Sequence, residues 1–327
     1  MFRMEFFDLY NKSELKNIVN NDLQKNMLNH AYLLCGQDEL YLSYLAKEFA
    51  KNVVCEQSGC NTCATCSKIE KGVHSDVLVY PKDVNKGLVV DDINEIVESA
   101  YVYPLEGNKK IFILNNFDLS TTQAQNKLLK TLEEPPKTCL FILTSTNPSN
   151  ILNTIKSRSK RLSVPLLGSQ DVQSFILKNS ALKPKDVLPY VSSSQGNLTK
   201  ALKIVNDDNF IKIKELCLNV VLKLTESGDI LRYSSKILEF KDRIKEIFDE
   251  LTLVFLDILY VKMGLNVRVL NQQRIDEFKS SNFSVKALKI IYSKVLSAQN
   301  KLDCNCNPTT VIDGFLITML EVKHKWK

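Results

Sequence analysis

Ile111-Phe112-Ile113-Leu114-Asn115-Asn116-Phe117-Asp118-Leu119-Ser120 is the stretch whose reading decides the fold. It has the form of a hydrophobic strand followed at once by two polar residues. In nucleotide hydrolysis such a strand ends in paired acids, the first holding Mg²⁺ and the second orienting the attacking water. Here the pair is Asn115 and Asn116. An amide carries no charge to hold the metal and is a very poor base. The stretch therefore predicts a nucleotide-hydrolysis fold kept without its hydrolysis.

Upstream, the apolar segment His30-Ala31-Tyr32-Leu33-Leu34-Cys35 runs into Gly36-Gln37-Asp38-Glu39-Leu40-Tyr41-Leu42-Ser43. A Walker A phosphate loop needs glycines for close backbone approach to phosphate, a Lys for the terminal phosphates and a Ser or Thr for Mg²⁺. Aligned by its first glycine, this loop has Glu39 and Tyr41 where glycines belong and Leu42 where the lysine belongs. Only Gly36 and Ser43 match. Taken alone, the loop reads equally well as a misalignment, but two defects in the correct order along one chain favour a non-hydrolysing protein. No tightly bound ATP is expected.

The chain has 327 residues, enough for two or three domains. With 44% apolar and 24% charged residues it has an ordinary globular composition and can bury a sizeable core. The net charge of +6 permits nucleic-acid contact without arguing for it. Of nine cysteines, four fall in one short segment and the rest scatter, which argues against a disulfide framework and for a reducing cytoplasm. No signal-peptide pattern and no apolar run of spanning length is present, so neither secretion nor a membrane is expected.

Aliphatic runs at 31–35, 77–80, 110–114, 140–144 and, more weakly, 162–164 alternate with helical patterns, which predicts an α/β layer around a largely parallel sheet. The first helix after the phosphate loop should bury Leu42, Leu45, Ala46, Phe49, Ala50 and Val53. Asp92 with Glu95 reads as one capping box and Ser120 with Gln123 as another, the second helix running to Pro135-Pro136. From about Pro165 short helices at 169–177, 185–191 and 197–205 predict a small helical module. Longer amphipathic runs from about Asp208 predict a separate bundle, giving a division into 1–165, 166–207 and 208–327. Neither an internal repeat nor a low-complexity segment is visible.

Cys55, Cys60, Cys63 and Cys66 place four thiolates in a loop containing Gly59, Asn61 and Thr62. Four sulfurs can close tetrahedrally on Zn²⁺ at about 2.3 Å, and two-residue gaps let backbone N–H groups point back at the sulfurs. A polar loop cannot bury four thiols as small apolar groups. A redox role is disfavoured because neither an activating His nor a helix start is recognisable nearby. With no open ligand position the expected zinc is structural. Cys35, Cys139, Cys217, Cys304 and Cys306 are expected to be free.

The opening His30-Ala31-Tyr32-Leu33, the four-cysteine insertion, Gly72-Val73-His74-Ser75-Asp76 and above all 126–136, Asn-Lys-Leu-Leu-Lys-Thr-Leu-Glu-Glu-Pro-Pro, resemble the bacterial DNA polymerase III clamp-loader subunits. The likeness continues through Ser145-Thr146-Asn147-Pro148 and Ser157-Arg158-Ser159, and a weaker one covers 302–320. Degenerate Walker motifs beside a zinc module look like the delta-prime type; the ATP-hydrolysing gamma/tau type shares the zinc module but keeps the Lys and the acids.

The resemblance implies an AAA+ fold with a five-stranded parallel sheet, a helical lid and a helical collar. It also implies a hetero-pentamer with gamma/tau and delta subunits that loads the sliding clamp on primer-template DNA. In that family a Ser-Arg-Cys motif supplies an arginine to ATP on the neighbouring subunit. Arg158 matches the arginine, and Ser159 replaces the Cys. Position-blind, Arg158 would be a solvated base among Lys156, Lys160 and Arg161; its motif position favours the finger. The lid's sensor arginine is replaced by Thr199, with Lys200 following. Thr146, near the first sensor position, is expected to cap local backbone. Glu133 and Glu134 end a helix where acids are electrostatically poor, with pairing to a partner subunit and solvation both open.

Two other functions fit the sequence less well. An active gamma/tau-like ATPase is opposed by Leu42, Asn115 and Asn116. A zinc-dependent nucleic-acid-binding protein would need cations and aromatics near the cysteines, where only Lys51, Lys68 and Lys71 qualify.

Overall fold

The computed structural model describes residues 3–82 and 87–326. They fall into two compact units, Met1–Asn179 with Gly196–Lys200, and Ser180–Gln195 with Ala201–Lys327.

In the first unit β1 (Ala31–Cys35), β2 (Val77–Tyr80), β3 (Lys110–Leu114), β4 (Cys139–Ser145) and β5 (Lys160–Ser163) form one five-stranded sheet in the order β2-β3-β4-β1-β5. Every pairing is parallel, with Leu33 beside Leu143 and Ile113 beside Ile142. Every residue of β1, β3 and β4 is buried, because helices cover both faces of a parallel sheet. The unbroken apolar runs that made these strands legible follow from that cover. This is the P-loop-type α/β architecture expected of an AAA+ fold.

The last strand starts earlier than 162–164. Tyr32 through Cys35 pair with Lys160 through Ser163, and only Leu162 of this edge strand is buried. An edge strand tolerates a half-buried Lys160 and an exposed Arg161, which hid it from the apolar pattern.

Two helices that the sequence pattern had not suggested, α1 (Arg3–Lys12) and α2 (Glu14–Gln24), precede β1. Phe6 of α1 stacks on Tyr44, with ring centroids 3.6 Å apart. Tyr44 belongs to α3 (Glu39–Val54), which buries Leu42, Leu45, Ala46, Phe49 and Ala50 as expected. Val53 is only half-buried, while Glu48, Lys51 and Asn52 are buried. Next come α4 (Ala64–Lys71), α5 (Val90–Ala100), α6 (Thr122–Glu133), α7 (Asn153–Lys156) and α8 (Ser169–Asn179).

Both expected caps move. Asp92 lies inside α5 and its carboxylate accepts the Val89 N–H at 3.0 Å, while Glu95 pairs with Lys82. Thr121, not Ser120, caps α6 by accepting the Ala124 N–H at 3.2 Å. The Ser120 hydroxyl is spent on the Phe117 carbonyl in the preceding 3₁₀ turn.

In the second unit α9 (Leu188–Ser194), the later part of α10 (Leu198–Val205), α11 (Phe210–Lys223), α12 (Ser227–Leu238), α13 (Ile244–Lys262), α14 (Ile275–Ser280), α15 (Val285–Asp303) and α16 (Pro308–Lys325) form an all-helical body. Its core includes Val220, Phe248, Leu251, Phe255, Ile291, Phe315 and Leu316. Phe248 meets Phe315 edge to face at 5.2 Å. The buried Lys214 ammonium donates to the Ser192 and Ser193 hydroxyls at 2.8 Å each, and Ser193 donates to Glu250 at 2.9 Å. A buried charge is tolerated when its donors are satisfied in this way.

Candidate functional site

Parallel strands deliver their C-terminal ends to one edge of the sheet, where ligands of α/β proteins bind. Here that edge carries Gly36 after β1, Asn115 and Asn116 after β3, and Thr146 after β4. Space at the glycine is tight, since a Cβ on Gly36 would lie 3.0 Å from the Val164 carbonyl oxygen and 3.3 Å from a Leu42 methyl.

The start of α3 would be the anion site, because its first N–H groups lack helical partners and its dipole favours negative charge. The chain's own Asp38 occupies that place. Asp38 is buried and caps α3 by accepting the Tyr41 N–H at 3.3 Å. Its carboxylate also accepts the Leu198 N–H, the Thr199 N–H at 3.3 Å and the Thr199 hydroxyl at 2.7 Å. The Thr199 hydroxyl in turn accepts the Leu40 N–H at 3.1 Å, and Asn197 donates to the Gln37 carbonyl at 2.7 Å. One carboxylate thus caps two helix starts, and segment 196–200 is strapped to the loop.

Leu42 is buried in the core, where a lysine would have to reach outward to phosphate, and Ser43 is half-buried on α3. Asp38 was missed as a site residue. The signal was present, an Asp immediately before an amphipathic helix.

Asn116 sits in the left-handed region at φ 49°, which Asn tolerates better than most residues. Its N–H donates to the Thr144 hydroxyl at 3.0 Å, and its side-chain amide donates to the Glu39 carboxylate. Two residues read separately as defects therefore satisfy each other. The Asn115 N–H continues the sheet by donating to the Tyr80 carbonyl at 2.8 Å. Thr146 does not cap backbone as expected: its hydroxyl donates to the Asp118 carboxylate at 3.2 Å, and the same oxygen accepts the Asn147 N–H at 3.0 Å. The nearby buried carboxylate outcompetes neutral backbone as an acceptor.

The four cysteines converge. Their sulfurs lie within 4.8 Å of one another, with Cys55 3.8 Å from Cys60 and 3.7 Å from Cys63. Four sulfurs at about 2.3 Å from a tetrahedral ion stand about 3.8 Å apart, so the cluster has the dimensions of a metal site. Left-handed Ser58, Gly59 and Asn61 fold the loop back on itself. A helix does begin here, contrary to expectation: Cys63 caps α4 and accepts the Cys66 N–H at 3.4 Å.

Hydrogen bonds from the Thr62 hydroxyl and the Thr62 and Cys63 N–H groups lower the Cys60 pKa to about 6. Burial opposes ionisation of Cys55, yet N–H groups of Cys60, Gln57 and Gly59 lower its pKa overall; burial raises that of Cys66. The arrangement can bind a metal with all four positions supplied by the protein.

The loop is anchored by Lys51. Its fully buried ammonium lies 2.6 Å from Glu48, 2.6 Å from Glu70 and 2.7 Å from the Asn61 side-chain oxygen. Asn61 also donates to Glu48 at 2.9 Å. Lys68 pairs with Glu106 at 2.6 Å. Lys51 is removed from solvent and Lys68 is tied to an acid. Lys51 is thus withdrawn from any nucleic-acid contact by the cysteine loop.

Arg158 follows α7, half-exposed. It donates to the Thr154 carbonyl at 2.9 Å and pairs with Glu133, the last residue of α6, at 2.7 Å. Glu133 is thereby satisfied within its own chain. The surrounding cations are not one solvated patch. Lys156 donates to the Pro148 carbonyl at 3.1 Å, and Lys160 pairs with Asp22 at 2.6 Å. The buried Ser159 hydroxyl donates to the Ile155 carbonyl at 3.0 Å, which fits a small side chain at that position.

A family described as "DNA polymerase III, delta subunit" matches residues 11–167. DNA polymerase III subunit tau of Bacillus subtilis is 28% identical over 357 residues, covering 99% of this chain and 63% of its own length. Subunit delta' of the same organism is 25% identical over 319 residues, covering 93% of this chain and 94% of its own. Thus the chain spans less than two thirds of the tau relative and nearly all of the delta' relative. A solved gamma-subunit-related protein of Thermotoga maritima aligns with 94% of this chain and 98% of its own at TM-score 0.44 and 21% identity. Among the described residues no helix is long and apolar enough to cross a membrane.

Proposed function

We propose that this chain, a member of the DNA polymerase III clamp-loader family, is a delta-prime-like subunit that does not hydrolyse ATP and serves its complex through Arg158. Overall identity does not separate delta' from gamma/tau. The closed phosphate loop supports the former: Asp38 fills the anion site, Glu39 engages Asn116, and Leu42 is buried where the phosphate lysine would stand.

Under this reading the protein works in the cytoplasm with gamma/tau and delta subunits, loading the sliding clamp on primer-template DNA. Residues 1–165 would form the nucleotide-binding-like domain, 166–207 the lid and 208–327 the collar. Zinc would be the metal held by Cys55, Cys60, Cys63 and Cys66, giving the loop a fixed shape rather than taking part in catalysis. Arg158 would reach ATP on a neighbouring subunit, where a guanidinium stabilises charge developing on the transferred phosphoryl group.

Reconstitution with a Walker-competent gamma/tau homologue and a delta subunit tests this. Alone the chain should neither hydrolyse ATP nor bind Mg-ATP tightly. In the complex Arg158→Ala should lower DNA-stimulated ATPase and clamp loading, while Arg161→Ala leaves both near normal. Turnover by the isolated chain, abolished by Ser43→Ala, would establish an active ATPase instead. Equal effects of the two arginine substitutions would return Arg158 to a general basic patch.

A further inference from the structure

We propose that Glu133 is the positioning residue for Arg158; the proposal rests on the reading of Arg158 as an arginine finger. The pair joins the last residue of α6 to the residue two beyond the end of α7, at 2.7 Å. A carboxylate at a helix C-terminus faces the negative end of the helix dipole. A half-exposed ion pair stabilises little. These small contributions oppose each other, so the fold gains almost nothing from Glu133. What the pair does specify is direction.

Two nitrogens of the guanidinium are held by two different acceptors, Nη1 by the Thr154 carbonyl at 2.9 Å and Nη2 by Glu133 Oε1. Two contacts from a rigid planar group define its plane, while the guanidinium's five N–H donors leave others for an incoming anion. Because the ion pair is partly solvated, its carboxylate can yield to a polyphosphate, which carries more charge and more acceptor oxygens. Glu133 therefore orders the side chain before a phosphate arrives, and the entropy of ordering is already lost when it does.

The test uses the full chain reconstituted with gamma/tau and delta subunits, with ATPase kcat and KM measured at saturating primed DNA and clamp. Glu133→Ala should lower kcat by roughly two- to fivefold, since small misplacement of a reacting group is costly, with little change in KM for ATP. Glu133→Gln, which keeps an acceptor oxygen, should recover part of the loss. In an Arg158→Ala background, Glu133→Ala should have no further effect. Size-exclusion chromatography should find all variants assembled.

If Arg158→Ala lowers kcat and Glu133→Ala does not, the finger stands and the positioning role is wrong. If Arg158→Ala itself changes nothing, the finger reading fails and takes this proposal with it. A loss on Glu133→Ala that persists without Arg158, or that comes from failed assembly, likewise overturns it.

Discussion

The side-chain amide of Asn116, at the end of the strand that would carry a catalytic acid, donates to the carboxylate of Glu39 in the degenerate phosphate loop. Each residue alone removes a requirement of ATP hydrolysis. Together they form a hydrogen bond that a catalytic acid could not make, because an ionised carboxylate has no proton to donate.

Asn116→Asp should therefore destabilise the protein instead of restoring a metal site. Two carboxylates would face each other, raising the pKa of one in the folded state. Such a shift costs stability as pH rises through the raised value, so the penalty should be present at pH 7 and vanish below about pH 4, where carboxyls protonate. Urea denaturation of both proteins across this range measures it, and a pH-independent difference would contradict it.

Asp38→Ala should lower stability by about 2 kcal/mol, since loss of a helix cap costs about 1 kcal/mol and Asp38 caps two helix starts. Asp38→Asn should cost less, because it keeps acceptor oxygen. Proteolysis near residues 196–200 should quicken in the alanine variant. The anchoring role of Asp38 would be refuted by unchanged stability and cleavage.

Lys51 and Lys68 should behave oppositely although both lie beside the cysteine loop. Lys51→Met leaves the buried Glu48 without its cation and should cost about 3–5 kcal/mol. It should also loosen the loop and speed metal loss to a chelator. Lys68→Ala removes an exposed pair with Glu106 and should cost less than about 1 kcal/mol. Thermal melts and metal-release rates compare them directly.

In metal-free protein Cys60 should be alkylated first among the four clustered thiols, its rate rising with a midpoint near pH 6. A folded-state pKa below the ordinary thiol value favours folding above that ordinary value, and the benefit is lost as pH falls through about 6. Metal retention should weaken on acidification in the same direction, since thiolates are the ligands. Thr62→Val should move the alkylation midpoint upward, because the Thr62 hydroxyl donates to the Cys60 sulfur at 3.4 Å.

The convergence of the four cysteines and four strands of the sheet, β1 to β4, were legible because each is written in neighbouring residues. Ile111–Leu114 is apolar throughout since helices cover both its faces, and the two-residue gaps from Cys60 to Cys63 and Cys66 bring three sulfurs together where the loop turns into α4. α2 went unread because its buried apolar positions, Leu15 and Val19, stand among Asn and Lys, while in α1 the buried Phe6, Leu9 and Tyr10 form too short a run to show a helical period. What only tertiary structure decided are the partners of charged and amide groups. Asp38 meets Thr199 across 161 positions, Glu39 meets Asn116 across 77, and Arg158 meets the end of α6. Strand order and helix packing create those meetings, and a polar side chain's local sequence does not specify which distant donor or acceptor will satisfy it once water is excluded.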